Sequence, residues 1–190
     1  TGLLPTELGG VRVTFDGAPA PLFFVSRGQI NLQVPFEVAG RAQSAVQVTY
    51  AGITSPAVEV PVVDAQPGLF ASADGARAIA LNQDGSLNGP DLPAFRGEVV
   101  TFFASGQGAV DPPLATGAPA PLDPLSRASN PAVSIGEAPA DVLFAGLTPG
   151  FVGLLQVNVR VPTAAPAGDD VEVVLEIDGA ASPSVWMSVR

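Results

Sequence analysis

Apolar and polar residues alternate with a period of two along much of the chain, the spacing expected of half-buried β-strands. Around Gln29–Val34, the side chains of Ile30, Leu32 and Val34 fall on one face, with Gln29, Asn31 and Gln33 on the other. Val46, Val48 and Tyr50 form another such set, and Val58, Val60 and Val62 the next. Upstream, Val11–Phe15 runs into Asp16-Gly17, a pair suited to a hairpin turn, and Leu22–Val25 follows. The pattern returns in Val133–Ile135, Val142–Ala145, Leu154–Val161, Val171–Ile177 and Ser184–Val189. With 21 Gly and 20 Pro among 190 residues, the chain suits short strands and tight turns and suits long helices badly.

The recurrence is a duplication. Gln29-Ile30-Asn31-Leu32-Gln33-Val34-Pro35 returns 127 residues later as Gln156-Val157-Asn158-Val159-Arg160-Val161-Pro162. The same offset carries Gly52-Ile53-Thr54-Ser55-Pro56-Ala57-Val58 onto Gly179-Ala180-Ala181-Ser182-Pro183-Ser184-Val185. Ala18-Pro19-Ala20 matches Ala138-Pro139-Ala140 at an offset of 120, so the second copy holds seven extra residues around Leu147 to Gly153. An ordered series of matches of this kind signals a repeat, and each unit reads as an antiparallel sandwich. The expected fold is all-β, two tandem immunoglobulin-like antiparallel β-sandwich modules at residues 1–64 and 65–190, with the boundary near Val63 to Gln66.

The two modules are unequal. The second begins with Pro67–Phe70, Ala78–Leu81 and Glu98–Phe103, which read as its first strands, and has a Pro/Gly/Ala-rich stretch at about 106–131, read as a long ordered surface loop. Only ten residues precede Val11, so the first module lacks strands that its sister has. Such a half-built sandwich exposes an apolar face and unpaired strand edges. Three explanations stand side by side: a fragment with strands upstream, docking of the first module onto the second, or a strand donated by another chain.

Composition narrows the chemistry. The chain has no Cys, no His and no Lys; its eight basic residues are all Arg. It therefore lacks a disulfide framework, a thiolate nucleophile and the side chain best suited to proton transfer near neutral pH. The expectation is that it is not an enzyme, with no catalytic residues, cofactor or metal. A net charge of −10, with no basic cluster, argues against nucleic acid. No apolar run is long enough for a membrane span. The chain opens on Thr1 rather than Met, read as a mature or trimmed product.

Candidate sites are few. Asn82, Asp84, Ser86 and Asn88 place oxygens at alternate positions, as in a calcium loop, but the twelfth position is Pro93 and Gly85 stands fourth rather than sixth. A hairpin turn on Asp84-Gly85, with Asn82 and Asn88 bonding local backbone, explains the same residues better. Asp169-Asp170 reads as a solvated turn, and Ser105-Gly106-Gln107-Gly108 lacks the helix and Lys of a phosphate loop. Trp186 is read as a buried inter-sheet anchor, with an exposed sugar-stacking ligand platform as the other possibility. Phe23-Phe24 and Phe102-Phe103 each place one ring on either face of a strand.

The segments Gly17–Ser26 and Gly28–Pro35 resemble the uncharacterised C-terminal domain family of Solibacter and other Acidobacteria. So do Pro67–Phe70, Asn82–Asn88, Ala145–Gly150 and Gln156–Val159, in order along nearly the whole chain. The resemblance implies a module at the C-terminal end of large exported proteins, with a strand-forming stretch before the position of Thr1 and no associated enzymatic activity. The expected role is a non-catalytic structural or adhesion module at the cell surface or outside the cell. Its expected partners are other proteins, or copies of itself in a filament completed by strand sharing. A carbohydrate-binding accessory domain, with a glycan partner, and a C-terminal secretion or anchoring domain are the alternatives.

Overall fold

The computed structural model describes residues 2–190 and is all-β, built from antiparallel sheets with one short 3-10 turn at Phe36–Val38. The N-terminal half carries β1 (Val11–Phe15), β2 (Ala18–Pro19), β3 (Leu22–Val25), β4 (Ile30–Leu32), β5 (Gln43–Tyr50), β6 (Ile53–Thr54) and β7 (Val58–Pro61). The C-terminal half opens with β8 (Gly68–Leu69), β9 (Ala80–Leu81) and β10 (Val99–Ser105). It continues with β11 (Val110–Asp111), β12 (Arg127–Ala128), β13 (Pro131–Ile135), β14 (Ala138–Leu147) and β15 (Leu155–Arg160). It closes with β16 (Gly168–Ile177), β17 (Ala180–Ala181) and β18 (Val185–Val189). Among the described residues no helix is long and apolar enough to cross a membrane.

The duplication is visible strand by strand. In the first half β5 lies between β1 and β7, with Val48 opposite Val13 and Val46 opposite Val58. In the second half β16 lies between β13 and β18, with Leu175 opposite Val133 and Val173 opposite Val185. The ribbon of β3 and β4 corresponds to β14 and β15. Even single hydrogen bonds repeat. The Val48 amide donates to Ser55 Oγ at 3.1 Å, and that hydroxyl donates to the Pro56 carbonyl at 2.9 Å. Leu175, Ser182 and Pro183 make the same two bonds at 3.1 and 2.9 Å. Ala51-Gly52 and Asp178-Gly179 both take positive φ in the turn between.

Two main apolar clusters result. The larger packs Val100, Phe102 and Ala104 of β10 against Val157 and Val159 of β15, Val173 and Leu175 of β16, and Met187 of β18. The smaller gathers Val11, Val13, Phe15, Ala20, Leu22 and Val38. Ile30, Leu32, Val46, Val48, Val60 and Val62 reach it only as partly buried neighbours.

The stretch at about 106–131 is ordered, but it is more than a surface loop. It pairs β11 with β12, ties β12 to β14, and builds a small cluster of Val110, Ala120 and Leu147. It also docks onto the first half: the Leu4 amide donates to the Gly117 carbonyl at 3.0 Å, the Phe36 amide to Thr116 Oγ1 at 3.0 Å, and the Gly117 amide to Gln33 Oε1 at 2.7 Å. Gly106 and Gly108, both at positive φ, let this chain pass against the backbone of Gln66 and Asp64, where any Cβ would collide with a carbonyl. The glycines of Ser105–Gly108 thus serve the packing of the connecting segment.

Candidate functional site: an uncovered strand slot in the first half

β4 is hydrogen-bonded to β3, and among the described residues no strand pairs with its other edge. β7 likewise pairs with β5 alone. The apolar residues beside these two edges, together the trough, are left incompletely covered. Val34 and Val58 are 52% and 61% exposed, and Ile30, Leu32, Val46, Val48, Val60 and Val62 are half-buried.

The sister positions in the second half are shut. There β10 runs antiparallel to β15 over six residue pairs, and Phe102 and Val100 close the trough from above. Segments before β10 cover the edge of β18: Arg77 bridges Trp186 and Ala94 bridges Val189, both in parallel. Val157, Val159, Val173, Leu175 and Val189 are consequently fully buried. The contact between the halves through Thr116 and Gly117 reaches Leu4, Gln33 and the 3-10 turn and leaves the trough exposed.

Exposure has local consequences. The alternation predicts a strand over Gln29–Val34, yet β4 spans only Ile30–Leu32, whereas β15, paired on both sides, spans Leu155–Arg160. Phe23 and Phe24 are both 47% exposed, contrary to the expectation of one ring per face, because the ladder slips between Leu22 and Phe24. Phe102-Phe103 obeys the expectation, with Phe102 in the core and Phe103 half-buried on the outer face.

The other candidate residues resolve as follows. Asn82, Asp84, Ser86 and Asn88 share one turn, where Asp84 Oδ1 accepts from the Ser86 amide at 2.9 Å and from its hydroxyl at 2.6 Å. Those two bonds hold the Asp84 carboxyl below its ordinary pKa. Asn82 Oδ1 accepts from Asn88 Nδ2 at 2.9 Å, and Asn88 Oδ1 accepts from the Ser188 amide at 2.8 Å. Asn88 therefore does more than bond local backbone: it pins the turn to β18. A shallow depression of about 260 Å³ adjoins the turn, lined in part by Asp91, Leu92, Phe95 and Glu98.

Trp186 is half-buried on the outer face of β18, opposite the core side that Val185 and Met187 occupy. It is not the expected inter-sheet anchor; the strand's alternation turns it away, and Phe102 is the large aromatic of the core. Asp169-Asp170 is not a free turn either. Both residues lie in β16 beside a register shift, where Asp170 meets Arg77 at 2.8 Å and Asp169 pairs with Arg190.

Fold and site together define an antiparallel all-β protein with a duplicated strand unit, closed in one copy and open in the other. No family model matches the chain, and neither the curated proteins nor the solved structures contain a match to it.

Proposed function

We propose that this chain is a non-catalytic extracellular structural or adhesion protein of two immunoglobulin-like modules that associates with other chains by strand pairing. The observation behind the reading is the incompletely covered apolar residues beside the edges of β4 and β7, neither of which has a further strand partner among the described residues. Such edges act as templates for another strand, and main-chain hydrogen bonds then supply affinity. The lack of His, Cys and Lys in the sequence favours a role carried by surfaces, and the net charge of −10 suits an exported protein.

Sedimentation and electron microscopy across a concentration series test the reading. Concentration-dependent assemblies are expected, dispersed by Val60→Asp in the trough. A chain that stays monomeric throughout, with the trough solvent-exposed in hydrogen exchange, would refute polymerisation. The outer-face position of Trp186 supports a second reading, a carbohydrate platform. Glycan binding lost in Trp186→Ala would move the assignment there.

A further inference from the structure

Asn88 is the one asparagine of the chain that precedes a glycine, Gly89. That pair carries a chemistry of its own. The Gly89 backbone nitrogen can attack the Asn88 side-chain carbonyl carbon, and glycine puts no Cβ in the way. A new C–N bond closes a succinimide ring, the Cγ–Nδ2 bond breaks, and the proton shed by the Gly89 nitrogen leaves with the departing ammonia. Water then opens the ring at either carbonyl. The product is aspartate or, with the backbone rerouted through the side chain, isoaspartate.

The fold holds both reacting groups off this path. Asn88 is buried; its Nδ2 donates to Asn82 Oδ1 at 2.9 Å and to the Ser188 carbonyl at 3.0 Å. Its Oδ1 accepts from the Ser188 amide at 2.8 Å. The Gly89 amide, the nucleophile, donates to the Leu92 carbonyl at 3.2 Å. Cyclisation breaks these bonds, because Cγ must turn from β18 toward the Gly89 nitrogen. They are lost together when residues 82–94 lift from β18. That segment is also held there by the Ala94 amide on the Ser188 carbonyl at 3.0 Å and the Arg190 amide on the Ala94 carbonyl at 2.9 Å.

The product does not fit the place the amide left. Aspartate sets an oxygen where Nδ2 stood, facing Asn82 Oδ1 and the Ser188 carbonyl, both acceptors. Buried acceptors deprived of their donor each carry a desolvation cost. Isoaspartate adds a carbon to the main chain and displaces the turn from β18. We infer that Asn88-Gly89 is a deamidation site gated by the fold: shielded while residues 82–94 are seated, modified when they lift, and unable to seat again afterwards.

The test incubates the whole chain in mildly alkaline buffer with and without urea and reads deamidation at Asn88 by peptide mass spectrometry. The reaction should run at least about tenfold faster in urea, because the seated segment opens only rarely. At Gly89 an added Cβ meets nothing within 4 Å and the backbone lies outside the left-handed region, so Gly89→Ala keeps the fold. Its methyl hinders ring closure and should slow the reaction in urea by at least about tenfold. Asn88→Asp, which mimics one product, should speed amide exchange at Ala94 and Ser188 by about tenfold. After removal of urea, unmodified chains should regain parental exchange at these amides and deamidated chains should not. Equal rates with and without urea, or an unchanged rate in Gly89→Ala, overturns the gated site. Parental exchange in deamidated chains overturns the failure to seat again.

Discussion

Val46 and Val173 hold the same place in the duplicated unit, yet one is half-buried and the other wholly buried. Each sits at the middle of its sheet, flanked by equivalent strands: β1 and β7 around Val46, β13 and β18 around Val173. The difference comes from outside the repeated unit, from β10 and the segments at Arg77 and Ala94 that close the second copy. A sheet thus settles its own pairing locally, while the burial of its inner face depends on whatever lies across from it.

The largest expected effect removes that cover. Phe102→Ala should cost about 3–5 kcal/mol in the second half, through lost transfer energy and a cavity in a wholly buried site. Urea unfolding followed by the fluorescence of Trp186, the one tryptophan of the chain, measures it. A cost under about 1 kcal/mol would mean that β10 is not what keeps the second copy closed.

A matched pair of truncations sharpens the comparison with residue type held constant. Val173→Ala should cost about 2–3 kcal/mol and Val46→Ala under about 1, since Val46 gives up less buried surface. Unfolding curves for both variants decide it, and equal costs would contradict the exposure difference between the copies.

The smallest effect is electrostatic and concerns the first turn of the first copy. Asp16 sits at the β1–β2 turn, where the Ala45 amide, first, and Arg41 hold its carboxyl below the ordinary pKa of 3.8. A lowered folded-state pKa makes the ionised form stabilising: the contribution is full above the unfolded value and disappears as pH falls through the folded one. Stability of the first half should therefore decline with acid below about pH 4, and Asp16→Asn should flatten that decline. At the corresponding turn of the second copy stand Gly136 and Glu137, both at positive φ, so no matching aspartate acts there. Amide exchange of β1 and β5 across a pH series separates the two.

Much of this was legible beforehand. Period-two alternation located the strands of both copies, and the match of Gln29–Pro35 to Gln156–Pro162 announced that β4 and β15 would take one form. Other features depended on neighbours distant in sequence. Nothing local to Asn88 announces its bonds to Ser188, one hundred residues away. The alternation of Val185–Val189 put Trp186 and Ser188 on the face opposite Val185, Met187 and Val189, while a general preference for aromatic cores led Trp186 to be read as an inter-sheet anchor. Asp169-Asp170 resembled a turn because its partners, Arg190 and Arg77, lie far along the chain.

The order of side chains along each strand, the turns at Asp16-Gly17 and Asp178-Gly179, and the twofold plan of the protein are properties of the sequence itself. They rest on contacts between near neighbours and on the two-residue repeat of the pleat. Which of the two equivalent apolar faces is closed was decided only in three dimensions. Burial needs a second surface, and only one copy has β10 lying across it.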